Sequence, residues 1–173
     1  MRHAGRCGLV GQTSRRARTG LLALLVGTIA LALSASALAA HPEKSAHFQG
    51  TTTQGESLSF RVSSTGKRVR HVHFYLVTDC SNGASSYVKS GGGVPQHTHS
   101  SIKPSGRFSW TLVFPKHHYK SGYVASAKVT LRGRFTSPTT ATGVLKGKSK
   151  YYPTTKYPEK ETCSGSTEFT ATG

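Results

Sequence analysis

An all-β antiparallel sandwich is the fold predicted by the sequence, and three observations predict it. Apolar and polar residues alternate at period two in most of the runs after residue 47. Gly, Pro, Asn and Ser gather between those runs, where turns need them. No window carries the three-and-four spacing of a helical stripe. Composition agrees: 35% hydrophobic and 17% charged residues with 19 Gly in 173 residues is not the Leu-, Ala-, Glu- and Lys-rich make-up of a helical bundle.

Residues 1–39 read as a secretory signal peptide. Arg2, Arg6, Arg15, Arg16 and Arg18 precede the apolar run Leu21 to Leu33, and the small-residue tail contains Ala37-Leu38-Ala39. Charged, apolar and cleavage regions in that order direct export. Arg18 stands where a twin-arginine signal prefers an apolar residue, so Sec export is expected. Cleavage after Ala39 leaves 134 of the 173 residues, removes five of the 23 basic side chains and none of the 6 acids, and takes the net charge from +17 to +12. Cys7 leaves as well. Cys80 and Cys163 remain, and an even count in an exported chain reads as a disulfide. No transmembrane segment is expected in the mature chain.

Residues 40–47 are a short polar lead, expected to be flexible, and 48–173 form a single domain. Phe48 to Thr52 opens the sheet. Leu58, Phe60 and Val62 then alternate with Ser59 and Arg61. From Arg70 onward, Val72, Phe74, Leu76 and Cys80 share one face, which places the thiol on the core side. Phe108, Trp110, Leu112 and Phe114 alternate with Arg107, Ser109, Thr111 and Val113, and Val129, Leu131, Gly133 and Phe135 with Lys128, Thr130, Arg132 and Arg134. Runs from Ala141 to Lys148 and from Ser166 to Thr172 complete about seven strands, an immunoglobulin-like or jelly-roll-like sandwich. The polar stretches 84–100 and 149–162 read as loops, where function concentrates.

The order Gly50-Thr-Thr-Thr-Gln-Gly55, Phe60-x-Val62, Cys80-Ser-Asn-Gly83, Gly106-Arg-Phe108, Leu131-x-Gly133-x-Phe135, Ala141-x-Gly143 and Cys163-Ser-Gly165 with Phe169-Thr-Ala171 resembles a group of small exported bacterial β-domain proteins with paired cysteines. The resemblance runs from about Phe48 to Ala171. It implies the fold and the compartment, and no reaction.

Catalytic constellations are sparse. Asp79 is the one Asp, and it sits beside Cys80 in a turn, which argues against a Ser-His-Asp triad. Glu43 is in the lead and Glu159 and Glu161 lie in a Lys/Pro-rich loop, leaving Glu56 and Glu168 as the sheet-associated carboxylates. The protein is therefore read as a non-enzyme with no cofactor. Histidines offer the alternative. His71 and His73 stand two apart on a strand, His97 and His99 in a loop, and imidazoles suit copper or zinc. His71-Val-His73 with Asp79-Cys80 and the late Cys163 is similar to copper/zinc superoxide dismutase, which would imply an extracellular metal protein or, remotely, a dismutase-like enzyme. No Gly-His-Phe follows Cys80, and outward-facing histidines are expected to be simply solvated.

Charge is the stronger signal. Arg132 and Arg134 share the outward face of one run, and Lys146 and Lys148 that of the next, with Lys150, Tyr151 and Tyr152 extending the patch into a basic aromatic loop. Like charges on neighbouring strands oppose folding, so the cluster points to a partner. An anionic polysaccharide or another anionic envelope polymer fits it. The expected protein is a secreted or cell-envelope binding or structural protein.

Overall fold

The computed structural model describes residues 40–90 and 97–173; the signal-peptide assignment and Cys7 lie outside the described residues. Nine strands form: β1 (His47–Thr52), β2 (Ser57–Val62), β3 (Val69–Cys80), β4 (Ser85–Lys89), β5 (His97–Ile102), β6 (Arg107–His118), β7 (Val124–Ser137), β8 (Thr140–Tyr152) and β9 (Glu161–Thr172). They make one sheet, in the order β4-β3-β2-β1-β9-β8-β7-β6-β5, and every neighbour is antiparallel. No helix occurs among the described residues.

The sheet folds over on itself, which makes it sandwich-like. Phe60 of β2 lies 5.5 Å from Phe108 of β6, ring to ring, and Phe74 of β3 lies 6.0 Å from Trp110 of β6. The alternating apolar residues of both halves thus face one core. Phe48, Phe60, Phe108, Phe135 and Phe169 form its aromatic centre, with Phe48 and Phe60 stacked at 5.0 Å and Phe108 and Phe135 tilted at 4.8 Å. Burying side chains of this size stabilises by roughly 1.5–3 kcal/mol each. β5 also closes on the β2–β3 hairpin: Ile102 N–H donates to the Lys67 carbonyl at 2.8 Å, and Val69 N–H to Ser100 Oγ at 2.7 Å.

The expected fold class is present with nine strands rather than seven. Both extra strands come from 84–100, read from sequence as loop. β4 buries only Val88, and β5 is His-Thr-His-Ser-Ser-Ile. Each ends the sheet order and is held by backbone pairing to one neighbour, so neither needs the apolar alternation that reveals a strand in sequence. Likewise β8 continues to Tyr152 and β9 starts at Glu161, which shortens the loop expected over 149–162 to 153–160. The lead is packed. Pro42 is buried, Ala40 and Ala46 rest on the core, and Val62 N–H donates to the Ala46 carbonyl at 2.9 Å.

β3 and β9 are 12 residues each, whereas β1 and β2 are 6 each. The β1–β2 hairpin therefore fills only one end of the space between them. At the other end β3 and β9 pair directly, Asp79 with Ser164 and Cys80 with Cys163, and the two cysteines form a disulfide closing a separation of 83 residues. Gly165 permits this approach, since a Cβ there would collide with the Val77 carbonyl oxygen. Replacing both cysteines by Ala is expected to lower stability by about 2–5 kcal/mol. The measurement is the unfolding free energy from urea titration, with m fitted for each protein because the denatured chain expands once the crosslink is gone; an unchanged free energy would mean that backbone pairing holds the seam alone.

Candidate functional site

The β7–β8 register sets the charged face. Its even-numbered residues point outward: Lys128, Arg132 and Arg134 on β7, and Lys146, Lys148 and Lys150 on β8, are all exposed, while Val129, Leu131, Ala141 and Leu145 are buried. Across the sheet one row reads Val113, Lys128, Lys148, Ser164, Asp79, and the next reads Thr111, Thr130, Lys146, Ser166. Lys128 and Lys148 are direct cross-strand partners. Together with Lys146, Thr130, Ser164 and Ser166 they line a shallow groove of about 520 Å³. Three ammonium groups and three hydroxyls around one depression are what an oxyanion needs, charge plus hydrogen-bond donors.

Not all of the expected patch meets there. Arg132 faces Val144, and Arg134 faces Thr142, further along β7 and outside the groove. Arg134 instead has Arg107 of β6 as its partner, a second like-charge pair. Lys128 and Arg107 belong to this face and were not singled out from sequence. The parity of Lys128 with Arg132 was visible there, whereas the register placing Arg107 was not. Asp79 also borders the groove, brought in by the β3–β9 pairing. Its backbone lies two strands from Lys148, about 10 Å at normal strand spacing.

At the end of β8 the face meets a cluster of tyrosines. Lys150 is exposed beside it. Tyr151 and Tyr152 are consecutive strand residues and diverge to opposite sides. The Tyr151 hydroxyl is 3.1 Å from Ser86 Oγ of β4, and that of Tyr152 is 3.1 Å from Ser126 Oγ of β7. Lys116 Nζ sits 4.6 Å from the centre of the Tyr152 ring, a cation–π contact. Tyr119 and Tyr123 stack at 4.3 Å, and Tyr123 lies 6.0 Å from Tyr151. Tyr123, Tyr151, Tyr152 and Tyr157 wall a cleft of about 700 Å³ whose charged residues are Lys156, Lys160, Glu159 and Glu161. The sequence places Tyr151 and Tyr152 in one loop, whereas both lie on β8, and Tyr119 and Tyr123 join them from the β6–β7 connection.

The histidines form no such assembly. A bulge opposite Ser59–Arg61 puts His71 at φ 50°, and Arg70 and His71 are both exposed, so regular alternation is interrupted where the His71–His73 pair begins. His99 is exposed on β5, opposite Thr111, and the His97 side chain lies outside the described residues. Among the described residues, the set of three metal-type ligand atoms lying within 4.8 Å of one another is Cys80, Glu161 and Cys163, whose sulfurs are bonded to each other. Of the sheet-associated carboxylates, Glu168 is exposed and Glu56 half-buried, and both use their backbone groups to secure the β1–β2 turn. No family model, curated protein or solved structure matches the chain.

Burial, followed by neighbouring phenols, raises the pKa values of Tyr119 and Tyr123 above the ordinary 10.0; at Tyr75 burial leads again, followed by Tyr87 and Glu56. These hydroxyls remain protonated donors well into alkali. Because the folded values are the higher ones, their contribution to stability is complete below the unfolded pKa and is lost as pH rises through the folded pKa. Ultraviolet titration of the phenolates is expected to show part of the 7 tyrosines ionising late in the folded protein and all together in denaturant. A single common transition in both states would contradict this.

Proposed function

We propose that this protein is an exported, non-catalytic binding or structural component of the cell envelope or extracellular space, which holds an anionic polymer, foremost a polysaccharide, against its β7–β8 face. The observation that carries the reading is the direct opposition of Lys128 and Lys148, with Lys146 in the same hydroxyl-bordered groove. Like charges directly opposite on a sheet cost stability, and solubility alone is served as well by dispersed charge. A bound polyanion removes the repulsion. Arg132, Arg134 and Arg107 continue the face in one direction and Lys150 in the other, so an extended ligand meets positive charge along the strands. The disulfide is in keeping with an oxidising compartment.

Retention on a carboxylate matrix in a salt gradient tests the proposal. Lys128→Glu with Lys146→Glu is expected to abolish retention, whereas Arg61→Glu with Lys67→Glu, an equal change of net charge elsewhere, is expected to lower it only modestly. The attraction is between screened surface charges, so wild-type retention is expected to fall steeply with salt. Lys128→Glu alone turns a like-charge pair into an opposite-charge pair and is expected to raise stability by roughly 0.2–1 kcal/mol. Equal loss of retention in the two double variants would leave only a diffuse field and would remove the face from the account.

A further inference from the structure

The tyrosine cleft differs from the lysine groove in its charge balance. Lys156 and Lys160 are matched there by Glu159 and Glu161, so the cleft has no net attraction for a bare polyanion. Its Glu161 supplies a second observation. Oε1 of that carboxylate is buried and has no hydrogen-bond partner. A buried acceptor left without a donor is costly, and neighbouring Tyr151, its cross-strand partner, has its own hydroxyl 3.1 Å from Ser86. Glu161 also lines the cleft, so a carboxylate short of donors from the protein belongs to the same wall as the ammonium groups. Aromatic faces complete that wall, of which Tyr157 is 42% exposed, with Lys156 Nζ 5.5 Å from its ring centre. Lys156 is held in place by donating to the Ser121 carbonyl at 3.1 Å.

We infer that this cleft recognises a carboxylated pyranose, a uronic acid unit of the polymer bound along the lysine face. Such a unit has hydroxyl donors for Glu161, a carboxylate for Lys156 or Lys160, and a flat C–H face for Tyr157. A phosphate group offers the charge without the donors or the face. The inference rests on the anionic-polymer reading and adds selectivity to it: the groove attracts charge, and the cleft distinguishes carboxylated sugar from phosphate.

The test is titration calorimetry of the disulfide-bonded mature protein with oligogalacturonate and with polyphosphate of matched charge, at one ionic strength. Wild type is expected to prefer oligogalacturonate by about tenfold, the worth of one hydrogen bond to a charged group. Tyr157→Ala, an exposed ring whose loss leaves the core intact, and Glu161→Gln are each expected to erase the preference while polyphosphate affinity stays unchanged. Equal wild-type affinities, or cleft variants that weaken both probes alike, would overturn the inference and leave the lysine face standing. If Lys128→Glu with Lys146→Glu leaves both affinities unchanged, it is the face that fails. Galacturonic acid alone, too short to span the face, probes the cleft independently. It is expected to shift the Tyr157 ring resonances, and no shift at saturation would likewise overturn the inference.

Discussion

β9 ends the second of two runs of strands that are each sequential in the chain, β1 to β4 and β5 to β9, and lies beside β1 of the first. Its pairing with β8 closes a local hairpin, its pairing with β1 joins the runs into one sheet, and its third pairing, with β3, stops the sheet from opening at the far end. The Cys80–Cys163 bond and the missing side chain of Gly165 make that third contact possible. Towards the other end of β9, Phe169 reaches Phe108 at 6.5 Å over Gly143 and Gly133 of the same cross-strand row, and Ala171 is fully buried where β9 pairs with β1.

Both surfaces with ligand chemistry are arranged around the same seam. On one side of the disulfide, Asp79 and Ser164 border the lysine groove. On the other, Ser81, Asn82 and Glu161 border the tyrosine cleft. Strand parity sorts most of β8: even positions carry Lys146, Lys148 and Lys150 and odd positions carry Leu145, Gly147 and Ser149, while Tyr151 and Tyr152 continue one parity each and both wall the cleft. A charged outer face and an aromatic end thus come from one strand without either intruding on the core.

The long strands were legible because they bury one face against a shared core, and burial writes itself into sequence as alternation; β6 from Phe108 to Phe114 is the clearest case. β4 and β5 were not, since an end strand held by backbone bonds leaves no such trace in Ser, Thr and His. The outward placement of Lys146 and Lys148 was equally readable from the parity of Leu145. The partners of those lysines were not, because they depend on register. Neither the opposition of Lys128 to Lys148 nor that of Arg107 to Arg134 can be deduced from a strand taken alone. Asp79 shows the same limit at longer range, for its place beside the groove follows from a pairing between residues 85 apart in the chain. The bulge that puts His71 at positive φ is a local departure with no Gly or Asn to announce it.

The central position of β9 has a kinetic consequence. Within each run, neighbouring strands are joined by direct connections and their pairing needs only nearby chain, whereas β9 must find β1 at separations such as the 117 residues between Thr52 and Phe169. Closing loops of that length before their contacts are rewarded slows folding. The two runs are therefore expected to collapse early with β1 and β9 as exposed edges, the state most open to strand exchange between molecules. Pairing of β9 with β1 covers both edges in one step and brings Cys163 to Cys80, so oxidation records the completion of the sheet rather than its start.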